Sequence, residues 1–252
     1  MMTMVRMLSG FADGLAKAGY IAWKDAKVYY FKAPNFTYGL LVPVSLFLAF
    51  VITGNVDPIL AVSGLTALVV LFGTTSIEAV AVVLEKQTGT FERLLAAPVS
   101  FFTIVLGKAL AGFFFGLILA AATFLPLALF FGENLVNPFL AIVAIAFTSF
   151  AFSALGVLVS AYAKWVPEAH MFSNFLRFPM VFLSGTFVQL ETMPFQLQIV
   201  ARFLPLTYSA EALRLSIQDS APIVYIIDIV VLAAFAVVLL AVAAKILERK
   251  TR

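Results

Sequence analysis

The chain has 252 residues, of which 63% are hydrophobic and only 12% are charged, and its mean hydropathy is +1.08. Soluble domains average about 45–50% apolar and about 25% charged residues, so this composition excludes a water-soluble globular protein and indicates a membrane protein. The lack of cysteine excludes disulfides and thiolate metal sites, and the single histidine excludes a multi-histidine metal site. The net charge of +3 does not indicate nucleic-acid binding, because the basic residues flank apolar segments.

The N-terminal segment, residues 1–33, has no long apolar run, but residues 13–31 show the periodicity of an amphipathic helix. Its charged residues share one narrow arc, and alanines and aromatic residues occupy the rest. The charged residues are Asp13, Lys17, Lys24 and Lys27. This pattern predicts an interfacial helix, with lysines toward the lipid phosphates and aromatic rings among the headgroups. A solvated cytoplasmic helix is the alternative.

Six apolar stretches are long enough to cross a bilayer, which takes about 20 residues. They cover residues 34–53, 59–84, 101–131, 138–162, 168–188 and 222–247. Turn-forming residues separate them, among them Gly54-Asn55, Asp57-Pro58, Gly132-Glu133-Asn134, Asn137-Pro138 and Pro167. We therefore predict an all-α membrane protein with six transmembrane helices, forming one domain over residues 1–252 with a bundle at 34–247 and a tail at 248–252.

The basic residues predict the orientation of the bundle, because lysine and arginine near span ends stay in the cytoplasm. Twelve of them fall on the side of the N terminus, namely Arg6, Lys17, Lys24, Lys27, Lys32, Lys86, Arg93, Lys164, Lys245, Arg249, Lys250 and Arg252. Two, Arg202 and Arg214, fall on the other side. Both termini are therefore expected in the cytoplasm. The outer linker, residues 189–221, has apolar residues at helical spacing between Pro194 and Pro205 and predicts a short helix in the outer leaflet.

The loop between the second and third spans reads EKQTGTFERLLAAPVS over residues 85–100. Thr88 or Thr90 can cap a helix here, and Pro98 can end it. Glu92 suits the first turn of that helix. Phe91, Leu94 and Leu95 would anchor it to the membrane face, leaving Glu92 and Arg93 toward a partner. A plain surface loop is the alternative.

This loop resembles that of ABC-2 type permeases, whose pattern is approximately E-[KR]-x-x-G-T-x-E-x-L-L-x-x-P-[VL]-S. The matching residues are Glu85, Lys86, Gly89, Thr90, Glu92, Leu94, Leu95, Pro98 and Ser100. A second block resembles the later half of the family and contains Phe178-Pro179, Leu183-Ser184-Gly185, Met193-Pro194, Leu204-Pro205-Leu206-Thr207-Tyr208 and Ala212-Leu213-Arg214.

The resemblance implies a permease subunit that is not itself an enzyme. Residues 85–98 would form a coupling helix, gripped by two copies of a cytoplasmic ABC ATPase. A second permease protomer would complete the pathway, with a homodimer favoured. The chain has no G-x-x-x-x-G-K-[ST] motif, so ATP and magnesium would bind the partner ATPase and this chain needs no cofactor. Residues 189–220, with Met193, Pro194, Pro205, Tyr208 and Arg214, would form extracellular re-entrant helices.

Charged residues inside spans are costly and suggest function. Glu78, Lys108 and Arg177 lie at similar expected depths near the cytoplasmic end. We predict that Glu78 pairs with Arg177, or less favourably with Lys108, to stabilise one state of a gate. A static ion pair, or a Lys108 that extends to the headgroups, is the alternative. Gly112 and Gly116 match small-xxx-small packing and predict close contacts within the subunit, with a contact between protomers as the alternative.

The resemblance implies an exporter in a prokaryotic cytoplasmic membrane that moves a drug, a lipid or a lipid-linked glycan outward, with membrane lipids but no nucleic acid among its partners. An ABC-2-like resistance or stress subunit without a defined exported molecule is the alternative. An intramembrane lipid-modifying enzyme is less favoured, because the candidate polar groups in the spans are only Glu78, Lys108, Arg177 and Asp228 and suggest no nucleophile.

Overall fold

The computed structural model describes residues 2–30, 39–46, 48–49, 57–132, 137–188, 190–218 and 221–251, with side chains from residue 13 onward. Within these ranges there is no strand, which confirms the all-α class for this part of the chain. The helices are α1 (Met2–Asp25), α2 (39–46), α3 (Pro58–Gln87), α4 (Thr90–Leu95), α5 (Phe101–Phe131), α6 (Pro138–Tyr162), α7 (Val166–Leu183), α8 (Phe195–Ala201), α9 (Pro205–Gln218) and α10 (Pro222–Thr251). A π-helical turn, Ala26–Tyr30, continues α1.

Helix ends coincide with turn-forming residues of the sequence. The Asp57 carboxylate accepts a hydrogen bond from the backbone N–H two residues later, at 2.9 Å. Pro58 opens α3, at a position where its missing N–H leaves no intrahelical bond unmade. Gly132, just past the end of α5, has a φ of +70°, which favours glycine. The predicted turn residues 54–55 and 133–134 lie outside the described residues.

Among the residues that the structure describes, four helices are long and apolar enough to cross a membrane: Pro58–Gln87, Phe101–Phe131, Pro138–Tyr162 and Pro222–Lys250. They coincide with the second, third, fourth and sixth predicted spans. The first predicted span, 34–53, lies largely outside the described residues, although 39–46 are helical. The fifth, 168–188, corresponds to the 18-residue α7, which is not among the four because charged residues and prolines lower its hydropathy. The chain is a multi-pass helical membrane protein.

The bundle is built around α3, which is buried along most of its length and packs against α5, α6, α7 and α9. α1 packs along α5, and α10 packs against α6 and α9. The end of the bundle that carries the short helix α4 is called the α4 end below. It also holds the end of α1 and the carboxyl ends of α6 and α10, since the Lys250 ammonium donates to the Ala161 and Tyr162 carbonyls at 2.9 Å each.

Glycines let the central helices approach closely. A Cβ atom added at Gly112 of α5 would lie 2.2 Å from the Ser153 hydroxyl oxygen of α6. One added at Gly116 would lie 2.8 Å from side-chain atoms of Ser149 and of Thr74 in α3. The small-xxx-small pair therefore packs inside the subunit, as the sequence predicts.

The segment after α7 contains more structure than the sequence indicates. The predicted short helix between Pro194 and Pro205 is present as α8, whereas the 14-residue α9 that follows was not recognised from periodicity. α9 is mostly buried against α3, α6 and α10 although it is rich in serine and threonine. Ser209 and Ser216 donate to carbonyls of their own helix, at 3.1 and 2.7 Å, so their hydroxyls are buried without losing their hydrogen bonds.

Candidate functional site

The predicted coupling segment is a separate six-residue helix, α4, between the end of α3 and the start of α5. Its cap differs from the expectation, because Gly89 is the N-cap, with a φ of +69° and no side-chain cap bond. Thr88 and Thr90 do not cap α4; their hydroxyl oxygens lie 2.5 Å apart, and Thr90 donates to the Glu85 carbonyl at 3.3 Å. These bonds fasten the start of α4 to the end of α3.

α4 has one buried side and one exposed side. The Phe91 side chain is buried, and the Lys86 ammonium of α3 lies 5.9 Å from the centroid of its ring. Leu94 and Leu95 are partly buried against the same cluster of bundle residues. The Glu92 and Arg93 side chains are exposed, as predicted, while Pro98 follows α4 and is also exposed.

Four charged side chains meet beside α4, between α1, α3 and α5. The Lys108 ammonium lies 2.6 Å from one Asp25 carboxylate oxygen, and the Lys24 ammonium lies 2.9 Å from the other. Both ammonium groups also donate to the Glu85 carboxylate, one to each oxygen. Positive and negative groups therefore alternate, and the formal charges cancel. We call Lys24, Asp25, Glu85 and Lys108 the charge cluster.

Three members of the charge cluster are sealed from solvent and the fourth is not. The exposed fraction of the side chain is 1% for Asp25 and Glu85 and 2% for Lys108, against 44% for Lys24. Burial raises the pKa of Asp25, and the Lys108 charge opposes that rise. Burial also acts to lower the pKa of Lys24, but the hydrogen bond to Glu85 and the Asp25 charge outweigh it and raise that pKa. Such a buried set is stable only while its charges stay balanced.

The predicted partners of the intramembrane charges are wrong. Lys108 is buried and belongs to the charge cluster, so it neither pairs with Glu78 nor extends to the headgroups. The Arg177 guanidinium donates to the Thr75 hydroxyl at 2.6 Å and lies 5.2 Å from the Phe72 ring centroid. Glu78 is fully buried, and neither of its carboxylate oxygens has a hydrogen-bond partner in the described part of the chain.

Two glycines shape the space around Glu78. A Cβ atom at Gly112 would lie 3.2 Å from a Glu78 carboxylate oxygen, and one at Gly156 would lie 2.7 Å from the Glu78 Cβ. The side chain thus occupies a tight slot between α5 and α6. Sequence reasoning also missed Asp25. The available signal was Lys108, because a lysine within an apolar helix requires a buried counter-ion.

The residues predicted for the outer segment lie together at the end of the bundle opposite α4. Pro194 caps α8 and Pro205 opens α9, while the Met193 carbonyl accepts from the Gln198 amide at 2.8 Å. The Tyr208 hydroxyl donates to the Arg202 carbonyl at 2.7 Å. Arg214 lies 3.8 Å from Glu191 and 3.7 Å from Glu211, which ties α9 to the turn before α8.

A bundle of helices that are long and apolar enough to cross a bilayer defines a membrane protein. Sequence comparison is more specific, because the profile described as ABC-2 type transporter matches residues 15–217. The chain belongs to the ABC-2 type transporter family, which confirms the resemblance seen in its loop.

Several relatives share part of the sequence. Nodulation protein J of Rhizobium leguminosarum bv. trifolii is 30% identical over 133 residues, covering 50% of this chain and 48% of that protein. Nodulation protein J of Rhizobium meliloti strain 1021 is 29% identical over 170 residues, covering 64% and 62%. The linearmycin resistance permease protein LnrN of Bacillus subtilis strain 168 is 28% identical over 164 residues, covering 65% and 43%. The match to the first of these spans about half of the relative's length.

Proposed function

We propose that this chain is the permease subunit of an ATP-driven exporter, and that α4 receives mechanical work from a separate ATPase. The observation that carries the proposal is the two-sided placement of α4: Phe91 is buried in the bundle while Glu92 and Arg93 are exposed. A push on the exposed side would reach α3 through Phe91 and the threonine bonds, because packed side chains transmit displacement. The family match supports a partner of the ABC ATPase kind.

The proposed topology has six crossings, with α4 and both termini in the cytoplasm. The predicted span at 34–53, which contains α2, and α7 would add the first and fifth crossings to the four apolar helices. The excess of lysine and arginine at the α4 end supports this orientation. α9, with 14 residues, spans about 21 Å at 1.5 Å per residue, which is shorter than a ~30 Å hydrocarbon core and suits a re-entrant helix from the outer face.

The proposed complex contains two permease protomers, with a homodimer favoured, and two ATPase subunits that bind ATP and magnesium. The proposed cargo is an amphipathic drug, lipid or lipid-linked glycan in a prokaryotic cytoplasmic membrane. Glu78 remains a proposed gate residue. Its role would depend on the close packing of its side chain between α5 and α6 rather than on an ion pair. A complex that confers resistance without a defined exported molecule is the second candidate, favoured by the name of the linearmycin resistance relative.

Orientation can be tested with single cysteines, because the natural chain contains none. Glu92→Cys at α4 and Glu191→Cys at the opposite end are both exposed positions. A membrane-impermeant maleimide added to intact cells should label the Glu191→Cys variant and leave the Glu92→Cys variant unlabelled until the membrane is opened. Labelling at position 92 in intact cells would refute both the orientation and the coupling role.

Coupling can be tested in inverted vesicles that hold the permease with its ATPase. We expect Glu92→Lys and Arg93→Glu to reduce ATP-dependent uptake of an amphipathic dye at least tenfold without changing the thermal stability of the permease. Lys164→Glu is the matched control, because Lys164 is exposed and does not belong to α4. Equal uptake by all three variants would contradict the assignment of α4. Resistance without ATP-dependent uptake of any tested amphiphile would favour the second candidate.

A further inference from the structure

The last turn of α3 joins α4 to the rest of the bundle. The backbone of α4 lies mainly against α3. Each of the three residues that end α3 bonds to a different neighbour. Glu85 accepts from Lys24 of α1 and from Lys108 of α5. Lys86 donates to a carbonyl of α6, and Gln87 donates to a carbonyl in the turn after α6. A displacement of α4 therefore reaches the neighbouring helices through this turn.

The Lys86 ammonium lies at the carboxyl end of α6. It donates to the Ser160 carbonyl at 2.8 Å. The last carbonyls of a helix have no partner within the helix and carry partial negative charge, so they attract an ammonium group. Lys250 of α10 donates to the next two carbonyls, those of Ala161 and Tyr162. The end of α6 is thus held by lysines from two helices, of which α3 is the one followed directly by α4.

The bond from Lys86 differs in kind from the apolar contacts around it. The Phe91 ring of α4 lies 5.9 Å from the Lys86 ammonium and belongs to the same buried cluster as Val157 and Ala161 of α6. Such packing transmits a push, but its attraction falls away within about 1 Å of separation. A hydrogen bond from an ammonium group is about twice as strong as a neutral one, so it also resists a pull. The Gln87 bond, at 3.4 Å and exposed, is weaker.

We propose that Lys86 is a positioning residue that transmits the displacement of α4 to α6 in both directions of the transport cycle. The proposal rests on the proposed function, in which α4 receives work from an ATPase. α6 packs along α3, α5, α9 and α10, so its displacement reaches the end of the bundle opposite α4. Packing between α3 and α6 conveys the forward push, and the Lys86 bond ensures that α6 follows when α4 returns.

The test measures ATP hydrolysis and ATP-dependent uptake of an amphipathic dye in the same inverted vesicles, which hold the permease with its ATPase. The readout is dye taken up per ATP hydrolysed. Unfolding of part of the complex lowers both rates together, so a loss of stability alone leaves this ratio unchanged. We expect Lys86→Met to lower the ratio at least about fivefold, because the charge-assisted bond is lost. A ratio equal to wild type would overturn the proposal.

Lys86→Arg and Lys250→Met are the matched controls. Arginine keeps a charged donor at position 86, so the ratio should stay within about twofold of wild type. Lys250→Met removes two hydrogen bonds from the same helix end, but from α10. Its ratio should also stay within about twofold of wild type, because α10 does not carry α4. An equal fall in Lys250→Met and Lys86→Met would show that only capping of α6 matters and would overturn the assigned route.

A cross-link tests the route without relying on the folding of Lys86→Met. The Gln87 amide nitrogen lies 3.4 Å from the Lys164 carbonyl oxygen, both side chains are exposed, and the natural chain has no cysteine. A short bifunctional maleimide should therefore join Gln87→Cys to Lys164→Cys. Because the ends of α3 and α6 are proposed to move together, cross-linking should leave the ratio of the otherwise wild-type complex unchanged and should restore it in Lys86→Met. Loss of uptake in the former, or no recovery in the latter, would overturn the proposal.

Glu92→Lys in the same vesicles separates this proposal from the one on which it rests. Reduced uptake in Glu92→Lys together with a wild-type ratio in Lys86→Met would refute the role of Lys86 and leave the coupling role of α4 intact. Wild-type uptake in Glu92→Lys would refute the coupling role of α4, and the role of Lys86 with it.

Discussion

Replacing Lys108 with methionine should destabilise the bundle more than any exposed lysine substitution. Methionine keeps an apolar stem of four atoms but removes the ammonium group that contacts Asp25 and Glu85. The charge cluster then holds two buried carboxylates and only Lys24, so its formal charge changes from zero to minus one. Each carboxylate is 1% exposed and gains little from water.

The size of the effect follows from this imbalance. Removing one partner of a buried ion pair costs about 3–5 kcal/mol of stability. We expect a cost near the lower limit, because Lys24 stays bound to both carboxylates. A loss of about 3 kcal/mol lowers the midpoint of unfolding by roughly 6–12 °C in a chain of this size. The exposed control Lys164→Met should cost at most about 0.5 kcal/mol.

The assay is thermal unfolding of the purified chain in detergent, followed by intrinsic tryptophan fluorescence. Combining Lys108→Met with Glu85→Gln restores neutrality, because Lys24 and Asp25 remain as a pair. The double variant should therefore recover roughly half of the lost stability, which a double-mutant cycle measures. An unfolding midpoint for Lys108→Met within about 2 °C of the Lys164→Met control would show that the charge cluster does not hold α1 to the bundle.

Five further substitutions, two of them serving as comparisons, test the packing around the same helices by the same thermal assay. Glu78→Gln should leave the midpoint unchanged or raise it, because a neutral amide is less costly to bury than a carboxylate without a hydrogen-bond partner; a clear drop would reveal a required charge. Gly112→Ala should lower the free energy of unfolding by about 1–3 kcal/mol, because the added Cβ atom would lie 2.2 Å from an atom of α6. Gly19→Ala should not lower it, because the added Cβ atom meets no atom within 4 Å. Equal midpoints for the two variants would contradict the close packing. Lys250→Met should lower the free energy of unfolding by about 0.3–1 kcal/mol, because it uncaps the carboxyl end of α6. The Lys86 ammonium bonds a carbonyl deeper in α6, at 2.8 Å. A larger loss for Lys86→Met would therefore confirm the order expected from burial.

Much of the candidate site was predictable because it depends on local chemistry. The spacing of Phe91, Leu94 and Leu95 on a short segment determines which side of α4 faces the bundle, whatever the rest of the chain does. The contacts of Lys108 were not predictable, since its counter-ions come from residues 83 and 23 positions away along the chain. Depth within a span indicates that a charge needs a partner, but it does not say which neighbouring helix supplies it.

Sequence alone was enough to predict that this chain resides in a membrane, where its four long helices lie to within a few residues, and which family it belongs to. Those properties follow from apolar length, from capping residues and from a contiguous motif, all of which are local. The packing of the helices was needed to show that α1 is fastened to α3 and α5 by alternating charges, that Glu78 stands apart from Arg177, and that α9 is buried. These depend on which helices pack together, because lipid surrounds every apolar face alike and side-chain contacts between helices must select the arrangement.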